Sequence, residues 1–524
     1  MKKIIVIGCA LFLVALLFRL PGISFHSLWF DETSTAFCVT QSSYGDMLKT
    51  VHTMEATPPL FFVLEKSFID LFHLRLNEFS LRFLPMLFGA LACVIFFLLF
   101  KEISTGRSSF FAFFLIAFSN FHLFTSQNAR VYSLLGLLVF LTLLLTVRWW
   151  KKPSRGYSIA LFISVVFTVQ THYYAVLWIA ALFIGVLIIK FKDMRVKYYL
   201  FLLASAGVLS FAFLIPLFLV QIHYEINPIR EYLVSKWIPG IAFSPIKVLL
   251  GAYLFKINSL REITVFDIAG IVPVVLLIAI AAFFFLRRLH EKTVSDSEKI
   301  VSFSLIAAFC FHVMTGWKVP TIHPQYMEHF LLLLFGCIMV NTSFKKSAQI
   351  GAFCILLALN IAATVRYYGS SKPYLTPWRT IAAVVDSSMA AKGKKSETVL
   401  GEFTTCLPLA FYLKNDSASF YQIYTPFNPN SQHNFARLNV FGKAFITDLF
   451  HYKYFPMTGQ LSFLDIIKET KEGFLLENGY DAINSFMKRL IQMYDDTIEF
   501  SVLKTFDANN GEFALIYWKY KGVK

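Results

Sequence analysis

Charged residues are scarce in this sequence. Only 15% of its 524 residues are Asp, Glu, Lys or Arg, whereas a typical soluble domain has about 25%. Apolar side chains take their place, at 57% of the chain, and phenylalanine alone occurs 59 times. This composition excludes an ordinary soluble protein and predicts a chain that crosses a membrane several times.

Several chemical signatures are also missing. The seven cysteines form no CxxC motif and no Cys/His cluster, so the sequence indicates neither a zinc site nor a disulfide framework. Cys38 and Cys406 both fall in segments that we expect outside the cytoplasm, and a disulfide between them stays open. There is no Gly-rich phosphate loop in the polar tail. No basic stripe with interleaved aromatics stands out, so we expect no nucleic-acid partner despite the net charge of +16.

Eleven apolar runs are candidates for membrane spans, each near the roughly 20 residues that a crossing helix needs. The first follows Lys2 and Lys3 and resembles a signal peptide without a cleavage site, so we expect an uncleaved span with a cytoplasmic N-terminus. The runs are 4–20, 82–100, 108–123, 131–147, 157–171, 173–189, 198–221, 265–286, 300–316, 326–342 and 348–366.

One further run, Pro58–Phe72, is ambiguous, and Lys and Arg decide its placement. If it does not cross, the loops 101–107, 148–156, 190–197, 287–299 and 343–347 share one side and carry 16 Lys and Arg residues. The short opposite loops then hold only Arg130 and Lys318. Because cytoplasmic loops are rich in Lys and Arg, we predict that Pro58–Phe72 is a helix at the outer interface.

Hydropathy falls from about residue 368 onward. Helices are predicted at 377–392 and 482–493 and strands at 398–400 and 513–517, which is typical of a soluble α/β or α+β domain. The predicted organisation is a transmembrane domain over 1–367, with its first outer loop at 21–81, and a soluble domain over 368–524. We expect a multi-pass protein of the inner (plasma) membrane, with this domain outside the cytoplasm.

Five polar islands interrupt the apolar pattern, and all face outward in this topology. Ionisable groups at membrane depth are rare and usually functional, so the islands predict a polar cavity. They are Asp31-Glu32, Glu55–Pro59 with Lys66, Gln127–Tyr132, Thr171–Tyr174 and Lys318–Tyr326, the last containing His323.

The residue types in these islands suit group transfer from a lipid phosphate. A carboxylate among aromatics, such as Asp31, can be tuned towards a general base. Arg130 and Lys318 suit an anion such as phosphate. Aromatic rings can stack on sugar or isoprenoid; the candidates are Trp29, Tyr132, Tyr173 and Tyr326.

Each of these residues also has a structural interpretation that stays open. The Asp31-Glu32 pair is also typical of a helix N-cap, and Arg130 of an anchor at a helix end. His172 is more often a satisfied polar residue than a catalyst. Lys66 suits lipid headgroups, and Lys318 suits snorkelling to the interface.

With these islands in order, the chain resembles the GT-C glycosyltransferases. It is most similar to bacterial relatives of the protein O-mannosyltransferases and of the lipid A aminoarabinose transferase. The matching stretches run over roughly residues 1–345. They are Ser27-Leu28-Trp29-Phe30-Asp31-Glu32, Thr57-Pro58-Pro59-Leu60-Phe61-Phe62, Arg82-Phe83-Leu84-Pro85, Ser126–Ser133, Thr171-His172-Tyr173 and His323-Pro324-Gln325-Tyr326.

The resemblance implies an inverting transfer from a polyprenyl-phosphate-linked sugar, on a GT-C fold of about 11 transmembrane helices. It implies that Asp31 is the catalytic base, that Glu32 positions acceptor or base, and that the Thr57 loop lies near the lipid phosphate. Relatives commonly have His or Lys where this chain has Thr57. The residues expected to bind donor phosphate or substrate are Glu55, Lys66, Arg130, Tyr132, His172, Tyr173, Lys318, His323 and Tyr326.

A metal requirement stays open at this point. Oligosaccharyl relatives use a divalent ion held by carboxylates, whereas the mannosyltransferase-like branch does not. Asp31, Glu32 and Glu55 are the oxygen ligands that magnesium or manganese would take here.

Two other classes of function compete with a transferase. A transporter or flippase of lipid-linked sugars would also need basic residues beside lipid, although no repeat with interrupted helices is visible. A membrane anchor that presents the C-terminal domain would leave the polar islands unexplained. The sequence does not name the sugar, nor the acceptor, which we expect to be a lipid, a glycan or a protein of the cell envelope.

Overall fold

The computed structural model divides the chain into two compact units. The first comprises Met1–Ile23 and Ala56–Gly369, and the second Ser24–Glu55 and Ser370–Lys524. The structure describes residues 2–55, 57–104, 108–221, 248, 294–316, 324–341, 346–369, 376–391, 398–401, 403–414, 418–422, 433–441, 443–447, 457–461, 468, 470–478, 498–508 and 511–521.

The part of the chain before residue 370 is helical. In chain order the described helices are α1 (Lys2–Arg19), α2 (Phe30–Val39), α3 (Tyr44–Met54), α4 (Leu60–Leu71), α5 (Glu78–Ile103), α6 (Ser108–Ala117), α7 (Asn120–Ser126), α8 (Tyr132–Lys151), α9 (Arg155–Thr171), α10 (Ala175–Lys190), α11 (Arg195–Gln221), α12 (Asp296–Gly316), α13 (Pro324–Asn341) and α14 (Lys346–Gly369).

Helices lie at ten of the eleven predicted apolar runs, and the run 265–286 falls outside the described residues. Four of the described helices, α5, α8, α11 and α12, are long and apolar enough to cross a membrane. A fifth would be α6 and α7 taken together. By length and composition, the described part of the chain therefore holds fewer crossing helices than the 11 predicted.

The prediction of one continuous run over 108–123 is corrected by the structure. α6 ends at Ala117, α7 begins at Asn120, and the two are bent by 59°. The side chain of Ser119 accepts a hydrogen bond from the backbone N–H of His122 at 3.3 Å, which caps the new helix. Hydropathy did not show this break, because an average over the run includes both α6 and α7.

α4 is the helix predicted at Pro58–Phe72. It starts directly after Pro59 and has 12 residues, about 18 Å of helix, which is too short to cross a bilayer core of about 30 Å. One face is buried and carries Phe61, Phe62, Glu65, Lys66 and Ile69.

Ion pairs join loops that the topology predicts on one side of the membrane. Glu102 binds Arg148 at 3.0 Å and Lys151 at 2.8 Å, which connects the ends of α5 and α8. Lys190, at the end of α10, pairs with Asp296, at the start of α12. The Lys- and Arg-rich ends of these helices therefore lie next to each other in pairs.

The core of the first unit is built largely from aromatic rings. The Phe96 and Phe100 ring centroids are 4.7 Å apart along α5, and Phe140 of α8 meets Phe96 edge-on at 5.0 Å. Close helix approach at the amino-terminal half of α5 depends on Gly89. A Cβ there would collide with the Oγ of Ser126 and lie 2.6 Å from its Cβ.

The second unit contains a mixed sheet with helices α15 (Trp378–Ala391) and α16 (Phe403–Tyr412). Its strands are β1 (Thr398–Gly401), β2 (Ser419–Gln422), β3 (His433–Val440), β4 (Lys443–Thr447), β5 (Met457–Leu461), β6 (Glu472–Asn478), β7 (Ile498–Ala508) and β8 (Gly511–Tyr520). The strand order is β5-β3-β4-β2-β1-β6-β8-β7.

The sheet has a parallel centre and antiparallel edges. β1 pairs in parallel with β2 and β6, and β2 with β4, whereas β3, β5, β7 and β8 pair antiparallel. The predicted helix 377–392 and strands 398–400 and 513–517 are present, and the predicted helix 482–493 lies outside the described residues. Cys38 and Cys406 are buried free thiols, so the disulfide left open between them is not formed.

The predicted first outer loop is divided between the two units. The sequence places 21–81 in the transmembrane domain, whereas in the structure residues 24–55, with α2 and α3, group with the C-terminal part of the chain. Residues 57–81, with α4, group with the first unit. The segment that carries Asp31 and Glu32 is thus separated by its contacts from the segment that carries Lys66.

Replacing Gly89 with Ala tests the close packing of α5 on α7. We expect Gly89→Ala to lower the free energy of unfolding by about 1–3 kcal/mol, because the new methyl group overlaps Ser126. Gly207→Ala in α11 is the control, since a Cβ there meets nothing within 4 Å. Thermal unfolding of the detergent-purified proteins measures both, and equal midpoints would contradict the expected overlap.

Candidate active site

Glu32 closes the amino end of its own helix. Its Oε2 accepts a hydrogen bond from the backbone N–H of Trp29 at 3.3 Å, and the side chain is 1% exposed. A carboxylate in the first turn also interacts favourably with the helix dipole. The N-cap interpretation of the acidic pair therefore describes Glu32.

Asp31 has a different environment from its neighbour. It is half-buried, and its backbone carbonyl accepts a hydrogen bond from Thr35 Oγ1 at 3.2 Å. Adjacent acids that differ in burial are suited to different tasks. Of the two, Asp31 is the carboxylate that retains access to solvent and ligands.

Glu55 contacts α2 at Ser34, about one helical turn beyond Asp31. It directly follows α3, is 6% exposed, and its Oε1 accepts a hydrogen bond from Ser34 Oγ at 2.8 Å. In the described parts of the chain, no three His, Cys, Asp or Glu side chains are grouped so that they could hold a metal ion. Asp31, Glu32 and Glu55 are therefore not grouped as a set of three metal ligands.

The buried face of α4 carries one basic and one acidic residue, Lys66 and Glu65. Lys66 is buried and its Nζ lies 3.2 Å from Asp70 Oδ2, whose side chain is half exposed. Glu65 is fully buried, and neither carboxyl oxygen has a hydrogen-bond partner among the described residues. Burial raises the pKa of Glu65 well above its usual range. A neutral carboxyl group explains how this side chain tolerates an apolar environment.

Arg130 and His172 lie close enough for their charges to interact. His172 is buried, and its Nδ1 accepts the backbone N–H of Tyr174 at 3.1 Å. Burial, and then the positive charge of Arg130, lower the pKa of His172 to about 3. His172 is thus a neutral ring that orders the turn between α9 and α10. Burial also raises the pKa of the half-buried Tyr173.

Hydrogen bonds of Gln127 hold the start of the segment that carries Arg130. The Gln127 amide Nε2 donates to the backbone carbonyl oxygens of Arg19 at 2.5 Å and Pro21 at 3.0 Å. The Tyr368 hydroxyl lies 2.6 Å from Gln127 Oε1 and donates to it. Arg130 and Tyr132 follow within five residues, and both are buried.

Three further predicted site residues fall outside the described part of the chain, wholly or by their side chains. Lys318 and His323 lie outside the described residues. Tyr326 is the third residue of α13, and its side chain also lies outside them.

Arg19 is a buried residue that the motif search did not single out. It is 0% exposed, and all five of its N–H groups donate hydrogen bonds. The acceptors are Ser126 Oγ (3.2 Å), the backbone oxygens of Ala15 (3.0 Å), Ala117 (3.2 Å) and Ile116 (3.5 Å), and Cys93 Sγ (3.2 Å). Ile116 and Ala117 end α6, so the guanidinium also meets the negative end of a helix dipole.

A second buried polar pair lies behind Arg19. His122 Nδ1 is 2.6 Å from Glu328 Oε1, which also accepts from Thr125 Oγ1 at 3.1 Å. Both residues of the pair are fully buried. The signal for Arg19 and Glu328 was present in the sequence, because each is an ionisable residue in or at the end of an apolar run.

Comparison with known proteins supports the resemblance drawn from the motifs. Residues 56–219 match the family described as dolichyl-phosphate-mannose-protein mannosyltransferase. The resemblance to mannosyltransferase-like proteins is thereby confirmed for this segment, which includes the Thr57, Arg130 and His172 motifs. The stretches 27–32 and 323–326 lie outside the match. No curated protein matches the chain.

Similar solved structures extend over nearly the whole chain. The crystal structure of ArnT from Cupriavidus metallidurans in the apo state has a TM-score of 0.49 at 12% identity and covers 98% of each chain. The same protein bound to undecaprenyl phosphate has a TM-score of 0.46 at 11% identity, covering 98% of this chain and 97% of that one.

An archaeal protein is similar as well. The oligosaccharyltransferase AglB from Archaeoglobus fulgidus, in complex with an inhibitory peptide and a dolichol-phosphate, has a TM-score of 0.43 at 9% identity, covering 98% of this chain and 88% of that one. With TM-scores below 0.5, these three likenesses carry no residue role over to this chain.

Arg19→Lys tests the five-fold coordination of the guanidinium. Lysine has three donors and no planar fork, so two acceptors lose their partner. We expect the free energy of unfolding to fall by about 2–4 kcal/mol. Arg155→Lys at the exposed start of α9 is the matched control and should be neutral. Thermal unfolding in detergent measures both, and an unchanged midpoint for Arg19→Lys would argue against the coordination.

Glu65→Gln tests the neutral carboxyl group on α4. In the unfolded chain Glu65 ionises near pH 4.5, whereas in the folded chain its pKa is raised. Stability contributed by wild-type Glu65 is therefore lost as pH rises above 4.5, and glutamine removes that loss. We expect Glu65→Gln to raise the thermal midpoint at pH 7 and to match wild type near pH 4.

Asp70→Asn gives the contrast on the same helix. It removes the partner of the buried Lys66, so the midpoint at pH 7 should fall. A pH-independent difference between Glu65→Gln and wild type would show that the carboxyl group is not held neutral.

Proposed function

We propose that this chain is an inverting membrane glycosyltransferase that moves a sugar from a polyprenyl-phosphate donor to a cell-envelope acceptor. The family match over residues 56–219 carries the reaction class. The same segment contains Arg130, which is buried and lies three residues after Gln127, whose side chain binds the backbone of Arg19. The proposed site faces outward from the plasma membrane, with the N-terminus in the cytoplasm, as the distribution of Lys and Arg indicates.

Asp31 is the proposed catalytic base. It takes the proton from the acceptor hydroxyl or other nucleophile as that atom attacks the anomeric carbon. The bond from the anomeric carbon to the phosphate oxygen breaks in the same displacement, on the opposite face of the sugar, which inverts the configuration. The proton ends on Asp31, and the electron pair of the broken bond leaves with the polyprenyl phosphate.

Glu32 supports this role without taking part in the chemistry. Its carboxylate is already bound to the Trp29 N–H, which fixes the first turn of α2. Because Asp31 lies in that turn, the cap limits the directions in which its carboxylate can point. We assign Glu32 as a positioning residue.

Arg130 is the proposed group that binds the donor phosphate. A guanidinium presents paired N–H donors that match two phosphate oxygens. The neighbouring His172 is neutral because of its burial and the charge of Arg130. In that pair only Arg130 carries a charge, and the donor phosphate is its proposed ligand. Lys318 is proposed as a second cation.

Asp31→Asn should lower the transfer rate about 100- to 10,000-fold, since a general base contributes that range. Glu32→Gln is the control, because its amide oxygen can still accept the Trp29 N–H. We expect it to retain activity within about 10-fold. The assay follows release of free polyprenyl phosphate from polyprenyl-phosphate hexoses and pentoses, with envelope extract as acceptor, in proteoliposomes.

Two outcomes would contradict the assignment. Asp31→Asn protein that transfers sugar at the normal rate would remove Asp31 from the base role. Wild-type protein that moves the labelled donor across the bilayer without releasing polyprenyl phosphate would instead identify a flippase. Mass spectrometry of envelope glycans with and without the chain then identifies the sugar and the acceptor.

A further inference from the structure

The residues before α2 are held by the C-terminal part of the chain. The backbone N–H of Leu28 donates to the Tyr412 hydroxyl at 2.7 Å, across 384 positions of sequence. Arg379 Nη2 donates to the backbone oxygens of Ser24 at 2.9 Å and Phe25 at 2.8 Å. These bonds fix the entry to α2, three residues ahead of Asp31.

The body of α2 is fixed by apolar packing in the same unit. Phe37 is 6% exposed and shares a core with Trp378 and Ile381 of α15. Its ring also meets Phe441 edge-on, with centroids 5.9 Å apart. A helix held at its entry and along one face can neither roll nor slide without breaking these contacts.

The two attachments differ in what they control. Phe37 lies two turns beyond Asp31, and its packing keeps α2 on the domain. The Tyr412 and Arg379 bonds act on the backbone of residues 24–28, immediately before the first turn. They therefore hold the backbone that leads directly into the turn carrying Asp31.

We propose that Tyr412 and Arg379 are positioning residues through which the C-terminal domain holds Asp31 for sugar transfer. This inference rests on the proposed function, in which Asp31 is the base. It gives the C-terminal domain a part in the reaction step although it supplies no reacting group. A misplacement of about 1 Å in such a group can lower a rate about 100-fold.

The alternative is that these bonds only stabilise the domain, and a pair of matched substitutions separates the two. Tyr412→Phe removes one hydroxyl and keeps the ring in contact with Phe411. Tyr517→Phe removes a hydroxyl that donates to Glu472 in the sheet of the same domain. Each substitution removes one of these hydroxyls, and of the two described bonds only that of Tyr412 reaches the entry to α2.

We expect Tyr412→Phe to lower kcat about 10- to 100-fold with an unchanged KM for the donor, and Tyr517→Phe to keep kcat within about 2-fold. Arg379→Met should also lower kcat, because it keeps an unbranched side chain and removes the Nη2 donor that binds the backbone oxygens of Ser24 and Phe25. Thermal midpoints of the two Tyr→Phe variants should be similar. Equal kcat values for these two variants, or losses in proportion to stability, would overturn the proposal.

Hydrogen exchange gives a readout that does not depend on activity. In the full-length protein, Tyr412→Phe should speed amide exchange in residues 24–39, and Tyr517→Phe should leave it unchanged. If exchange responds but wild-type protein releases no polyprenyl phosphate, the proposed function fails while the coupling to α2 stands. If wild type is active and exchange in 24–39 is the same in both variants, the positioning role fails.

Discussion

The hydrogen bonds of Arg19 are the constraint on which the first unit depends. A charge in an apolar helical body is tolerated only if every donor finds an acceptor. Arg19 meets that condition without a carboxylate, through carbonyls freed at the α6–α7 bend, Ser126 and Cys93. On the other side of the bend, the Asn120 N–H donates to Asn360 Oδ1 at 2.8 Å. The α6–α7 bend and the side chains of Arg19 and Asn360 therefore stabilise each other. The segment that carries Arg130 follows directly after α7.

Ionisable residues that are adjacent in this sequence differ in burial and in their hydrogen-bond or ion-pair partners. The Glu32 carboxylate is hydrogen-bonded at the amino end of α2, whereas the adjacent Asp31 is only half-buried. Lys66 has an ion-pair partner, whereas Glu65 beside it is kept neutral by burial. Sequence adjacency thus says little about function here. Burial and hydrogen bonding decide which of two similar groups can meet a ligand.

Local patterns in the sequence were enough to locate most helices, including the short α4, and to single out Asp31-Glu32. They could not reveal the break at Ser119, because hydropathy averages over it. They also could not show that residues 24–55 pack with the C-terminal part, since the Leu28–Tyr412 bond joins positions 384 apart. Arg19 was visible as an ion at the end of an apolar run, but its role depends on carbonyls that only the bend exposes.

The joining of α2 to α15 and α16 has a consequence for biosynthesis. A chain is made at roughly 5–20 residues per second, so Tyr412 leaves the ribosome about 20–80 s after Leu28. During that interval Phe37 of α2 has none of its partners from α15 and α16. Residues 24–39 therefore complete their packing only after the C-terminal part of the chain has been made.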